Sequence, residues 1–363
     1  MTATTLAADP AVDDLDHARH RARTLLLTTG LTVALALTLV VAAGLGPVAV
    51  PPGTVARIIG HHTVGHPVTV DWSAAQDSIV WLVRVPRVLL GALVGAALAI
   101  TGAVLQTIVR NVLADPHILG VTSGASTGAA VYLLFGVAAA TTATALAASA
   151  FAGALIATAL LFVISRINGQ LTSLRLLLGG VTIGYIFSAA TSFLIFASDR
   201  PEGARTVLFW LLGSLAPAAW SSVATTVAVV AVSLLAVLLL APRLDALAAG
   251  DDTARTLGIA PNRIRLWALL IVALAVGAVV AVAGAIGFVG LIVPHVARLC
   301  TGGTHRHLLV VSALIGALFL VVADVAARTV FAPRELPIGI VTAAVGAPLL
   351  LVLIRRFQAT GAS

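Results

Sequence analysis

The chain has 363 residues, 60% of them hydrophobic and only 10% charged, with a mean hydropathy of +1.10, whereas soluble domains carry about 25% charged residues. That balance excludes an ordinary soluble enzyme and points to an all-α polytopic membrane protein with little soluble mass. All 21 basic residues are arginine, which excludes a P-loop, whose lysine reaches the nucleotide phosphates; the formal charge of +7 comes from arginines scattered in short loops, not from a stripe that would bind nucleic acid.

A membrane span needs about 20 mostly apolar residues. Ten stretches qualify, at about 24–46, 86–109, 117–139, 143–165, 174–197, 220–241, 264–283, 285–301, 308–330 and 336–354. The seventh and eighth run together, so nine is the alternative count. Residues 1–18 are expected to be a disordered cytoplasmic tail, leaving 19–363 as a single transmembrane domain. The apolar run from Leu25 to Leu45 follows a cluster of Arg19, Arg21 and Arg23, but it is longer than the about 7–15 residues of a signal-peptide core and is read as the first span. With the N-terminus inside and ten alternating spans, fourteen arginines fall inside and seven outside. Cytoplasmic loops collect arginine, so both termini are expected in the cytoplasm; the alanine-rich, lysine-free composition suggests a GC-rich bacterial genome, and hence a bacterial cytoplasmic membrane.

Residues 47–80 form the longest polar interval, with Pro47, Pro51, Pro52 and the histidines His61, His62 and His66, expected outside. No carboxylate or cysteine accompanies the histidines at ligand spacing, so they read as solvated loop residues rather than a metal site. In the second span, Gly91, Gly95, Ala99 and Gly102 fall near one helical face as a seam for close helix packing. In the fifth, Gly180, Gly184, Ser188 and Ser192 recur every fourth residue; such a stripe either packs against a neighbour or lines a polar path.

Between the sixth and seventh spans, Asp251 to Leu257 reads as a short helix, with acids at its start to suit the helix dipole and Gly258 to close it. It is either a docking surface or a plain connection. The segment from Gly284 to His295 then sets Gly284, Gly287, Gly290 and Pro294 inside an apolar run. In water that is a poor helix, since glycine costs roughly 1 kcal/mol and proline about 3 relative to alanine; in a bilayer it marks close approach or a break. The single cysteine, Cys300, excludes an internal disulfide and is expected to be a small buried apolar residue. His295, Arg298, His305 and His307 are the one polar cluster an integral membrane enzyme could use. No carboxylate lies close in sequence, and the cluster reads as a loop flank. In the ninth span Asp324 and Arg328 stand at i and i+4, acid first, the favourable order for a helical ion pair. No acid falls at mid-membrane, where a proton-coupled carrier would keep one.

Several segments in register carry a resemblance. Arg84-Val-Pro-Arg87, Gly95 to Gln106, Asn111 to Gly120, Gly284 to His295, Ala323-Asp-Val-Ala-Ala-Arg328 and Glu335 to Pro348 together resemble the FecCD family, the permease subunits of bacterial ABC importers for ferric siderophores, haem and cobalamin. The resemblance implies a cobalamin-importer-like (type II ABC importer) permease fold of ten spans. It implies a second permease subunit, identical or paralogous, two cytoplasmic ATPase subunits that use ATP and Mg, an extracytoplasmic substrate-binding protein, and no cofactor or catalysis in this chain. Position by position, it places Arg84, Arg87 and Arg328 outward, against acidic residues of the binding protein. Gly250 to Gly258 matches the coupling helix that seats in the ATPase, with Asp251 and Asp252 where the family has glutamate, followed by Arg255, Leu257 and Gly258. Thr172 and Ser173 fall at the cytoplasmic gate. The Gly180, Gly184 and Ser188 face falls on the translocation path at the dimer interface. The function so implied is ATP-driven import of an iron–siderophore complex, with haem or cobalamin as alternative cargo and an ion-coupled secondary transporter as the alternative class.

Overall fold

The computed structural model describes residues 10–65, 70–117, 119–136, 143–167 and 170–361. Their regular secondary structure is helical apart from a minimal antiparallel hairpin, β1 (Arg166–Ile167) and β2 (Gln170–Leu171). The helices are α1 (Pro10–Gly44), α2 (Pro52–Val64), α3 (Ala74–Ser78), α4 (Val85–Val109), α5 (Val121–Phe135), α6 (Ala143–Ser165), α7 (Ser173–Phe196), α8 (Pro201–Leu211), α9 (Trp220–Ala249), α10 (Asp251–Thr256), α11 (Pro261–Ala283), α12 (Val289–Thr301), α13 (His305–Thr329) and α14 (Ile338–Gly361). A π-helical stretch, Ile79–Arg84, joins α3 to α4 without a break.

Seven of these are long and apolar enough to cross a membrane: α1, the joined α3 and α4, α6, α7, α9, α11 and α13. Three shorter apolar helices, α5, α12 and the Ile338–Val352 part of α14, occupy the remaining expected stretches. The seventh and eighth spans are separate, because α11 ends at Ala283 and residues 284–288 are not helical. Gly284 has φ +70° there, which a side chain would resist.

Other boundaries differ from expectation. α1 starts at Pro10, inside the segment expected to be a disordered tail; once a helix exists, each further residue adds a hydrogen bond without a new nucleation cost. Residues 1–9 lie outside the described residues. The polar interval 47–80 is not a loop throughout, since it carries α2 and α3. α9 runs on to Ala249, so the connection expected over 245–261 narrows to α10 and its flanks.

α4 is the central helix, almost wholly buried, with α13, α9, α11 and α12 packed around it. Its small-residue seam is real and very close. A Cβ added at Gly95 would lie 2.1 Å from the Gly316 carbonyl oxygen, and one at Gly102 would lie 1.9 Å from that of Gly290. Backbone touches backbone at both points, which is how small residues bring membrane helices together. At the periphery α1 leaves Leu25, Leu26, Val33 and Leu37 exposed, a face suited to lipid rather than water.

Candidate functional site

Two polar networks close the two ends of the bundle. One gathers around α10. Its N-terminal Asp251 reaches back into the body and takes two hydrogen bonds from Arg265 of α11, at 2.8 and 2.9 Å, and an ion pair from Arg110, just past α4, at 2.9 Å. The hydrogen bonds from Arg265 hold the Asp251 carboxyl below the usual carboxylate range, against the opposing effect of partial burial, with the nearby Arg110 and Arg255 charges helping. Asp252 and Arg255 pair with each other at 2.7 Å on the solvent side. Leu257 is 64% exposed, and Gly258 (φ +73°) has nothing within 4 Å of where a Cβ would stand. The expected coupling residues therefore divide. Asp251 is an internal staple, while Asp252, Arg255, Leu257 and Gly258 form an outward edge.

Arg265 is 1% exposed, yet every N–H of its guanidinium has an acceptor. Nε donates to the Ile108 carbonyl at 3.2 Å, Nη1 to the Leu171 carbonyl at 3.0 Å and to Asp251, and Nη2 to the Ser173 hydroxyl at 3.2 Å and to Asp251. The Ser173 hydroxyl itself donates to the Ile108 carbonyl at 3.1 Å. Thr172 is the N-cap of α7, its hydroxyl accepting from the Arg175 amide at 3.4 Å. The expected gate residues thus sit at the start of α7, tied into the same cluster as α10.

The other end holds Arg84, Arg87 and Arg328, and here the sequence expectation needs correcting. They are not outward-facing charges: their exposures are 6%, 8% and 4%, and joining a partner chain would only lower them. Arg84 donates to the carbonyls of Ala43, Gly44 and Val48, and Arg328 to those of Ala42 and Leu45. The last carbonyls of a helix have no partner within it, and these two guanidinium groups satisfy them at the C-terminus of α1. Arg87 binds Asp324 at 2.9 Å and Glu335 at 3.0 Å. Asp324 also pairs with Arg328 at 3.3 Å, the i, i+4 contact expected from sequence. The arginines are consumed in joining α1, α4 and α13, a demand invisible in any local pattern. Arg334 and Glu335 stay exposed beside them.

The α7 stripe is also split. Gly180 and Gly184 face Gly120, at whose position a Cβ would lie 2.9 Å from the Gly184 amide nitrogen and 3.2 Å from the Gly180 carbonyl oxygen. Gly180 is buried and Gly184 half-buried, so within this chain both lie against the Gly120 turn. Ser188 is exposed, on a face it shares with Val181 and Tyr185.

Among the remaining candidates, His305 gains a carboxylate that sequence proximity hid. Asp245 of α9 lies 2.6 Å from its Nδ1, and the Thr107 hydroxyl lies 2.7 Å from its Nε2. The hydroxyl also donates to the Ala103 carbonyl, so the trio clamps α4, α9 and α13 together. Arg298 binds Gln106, whose amide donates to the Gly290 and Leu291 carbonyls. His62 pairs with Asp77 at 3.0 Å and stacks on Trp81; His66 lies outside the described residues, among which no group of three His, Cys, Asp or Glu side chains is placed to hold a metal. Cys300 is exposed rather than buried, since it falls on the outer side of the last turn of α12. Sequence reasoning missed Arg265, Asp245 and Arg110 as working residues. An arginine among the first turns of an apolar helix was the available signal, but it reads equally well as a loop charge.

Comparison with known proteins comes down on one family. The FecCD transport family matches residues 34–356. The chain is 44% identical over 277 residues to the cobalamin import system permease protein BtuC of Halobacterium salinarum, covering 76% of this chain and 73% of that protein. It is 40% identical over 290 residues to the Fe(3+) dicitrate transport system permease protein FecD of Escherichia coli, covering 79% and 89%. A solved structure of a transporter assigned to the metal-chelate type of ABC transporter, in an inward-facing conformation, superimposes with a TM-score of 0.79 at 33% identity, over 91% of this chain and 98% of that one.

Proposed function

The chain belongs to the FecCD transport family and is a permease subunit of an ABC importer, and on that premise we propose that its cargo is an iron–siderophore complex. The observation that carries this reading is the 40% identity to the ferric dicitrate permease over 89% of that protein's length. A second reading, cobalamin, draws on the 44% identity to the archaeal cobalamin permease. Both cargoes are bulky metal chelates, and a path for either is expected to be wide and weakly binding, with the affinity held by an external binding protein.

In this reading the chain pairs with a second permease subunit, two ATPase subunits that use ATP and Mg, and the binding protein. α10 and the termini face the cytoplasm. The edge of Asp252, Arg255, Leu257 and Gly258 seats in the ATPase, and the start of α7 at Thr172 and Ser173 opens and closes the cytoplasmic side. At the outer end, Arg334 and Glu335 meet the binding protein, while Arg84, Arg87 and Arg328 hold the rim on which it lands. The test is uptake by the reconstituted complex, given its binding protein and ATP, of radio-iron as a siderophore chelate against radio-cobalt cobalamin. Iron accumulation without cobalamin uptake supports the first reading; the reverse replaces it with the second. Uptake driven by a proton or sodium gradient without ATP would remove both.

A further inference from the structure

We infer that Arg265 is the positioning residue through which movement of α10 reaches the start of α7. The inference rests on the reading of α10 as the contact for the ATPase. α10 has only six residues, too few to hold its own orientation, since short isolated helices are marginal. What orients it is the Asp251 carboxylate, gripped from two sides by Arg265 and Arg110. Arg110 ends at a backbone carbonyl of α9, Leu247. Arg265 goes on to three further elements: the end of α4 through Ile108, the hairpin through Leu171, and the first residue of α7 through Ser173.

The chemistry makes this linkage stiff. A guanidinium is planar and offers its donors at fixed angles; with all five used, shifting Asp251 must either break charge-assisted bonds or carry Ser173 and the Leu171 carbonyl along. Breaking them in a site 1% exposed strands donors away from water, the costlier alternative. Ser173 directly follows the N-cap Thr172 and opens the first turn of α7, so a pull there acts on the helix end rather than on a side chain alone. Lysine would keep the charge but not the fork, and cannot hold four elements at once.

The test uses the complete complex with Cys300→Ser and two spin-label sites, Thr256→Cys on α10 and Leu174→Cys on α7, both exposed. Distances from each label, introduced one at a time, to a reference label on the second permease subunit are measured with and without trapped ATP, in the parent, Arg265→Lys and Ser173→Ala. The gentler Ser173→Ala leaves the buried ion pair intact, which keeps the test valid should Arg265→Lys fail to assemble. The expected result is an ATP-dependent shift at both sites in the parent; in the variants the shift persists at Thr256 and is lost at Leu174, with cargo moved per ATP down at least about tenfold, as losing a charge-assisted hydrogen bond predicts. Parent-like shifts at Leu174 in both variants would overturn the inference. No shift at Thr256 in the parent would instead remove the ATPase reading of α10, and the inference with it.

Discussion

Arg87 and Asp324 stand 237 positions apart in the chain and share one carboxylate oxygen between Nε at 3.0 Å and Nη2 at 2.9 Å, with Asp324 only 2% exposed. Because Arg328 leans on the same carboxylate, the single charge of Asp324 is shared by two buried guanidinium groups, with Glu335 as the second acid on Arg87.

Asp324→Ala is therefore expected to cost about 3–5 kcal/mol of stability, the usual penalty for stranding a buried charge. Thermal unfolding in detergent checks this. Reversing Arg84, Arg87 and Arg328 to glutamate is expected to abolish the folded protein, where exposed docking charges would leave folding intact. A monodisperse triple variant on size exclusion would restore the surface-docking picture.

The two acids of α10 are expected to behave oppositely. Asp252→Asn leaves folding unchanged and lowers ATP-coupled uptake, while Asp251→Asn loosens α10 from the body. The folded-state pKa of Asp251 is depressed, so its contribution is complete at neutral pH and fades only as the solution is acidified through that lowered value. Protease nicking of α10 is expected to rise at that acid limit in the parent, and at neutral pH already in Asp251→Asn.

Gly102→Val is expected to prevent α4 from closing on α12, where the space for a Cβ is already taken by the Gly290 carbonyl. Gly60→Ala inside α2, with nothing within 4 Å, is expected to be tolerated and to raise stability by up to about 1 kcal/mol, the helix-propensity difference between the two residues. Comparing the two yields after detergent extraction separates packing from general intolerance of glycine loss.

On α7, Ser188→Cys in the assembled transporter, with Cys300→Ser, is expected to react with a membrane-impermeant thiol reagent if that face borders an aqueous path. Gly184→Leu is expected to lower thermal stability by displacing the Gly120 turn. Inert Ser188→Cys would assign the face to lipid or to a dry subunit contact.

The ten apolar stretches, the seam of α4 and the short acidic helix α10 were legible because each is a local pattern: span length, residue size at helical spacing, charge at a helix start. Tertiary partners were not. Nothing near Arg84 or Arg328 in sequence announces the carbonyls of Ala42 to Val48, so a motif of exposed-looking arginines concealed a buried helix cap. Gly180 and Gly184 were equally ambiguous, because a small-residue stripe suits a path or a neighbour, and the neighbour, Gly120, lies in another segment. The His305 cluster failed for the same reason in reverse: its carboxylate, Asp245, comes from 60 positions away.

The cap on α1 also sets an order of events during synthesis. Arg328 reaches the Ala42 carbonyl across 286 positions, and at about 5–20 residues per second the ribosome adds that arginine on the order of 15–60 s after Ala42 itself. Arg84 secures the Ala43 and Gly44 carbonyls early, but the Ala42 carbonyl waits for α13, so the end of α1 is fastened in two stages. A nascent chain stopped short of α13 holds only the first of these two stages, with the Ala42 carbonyl still lacking the guanidinium that meets it in the finished fold.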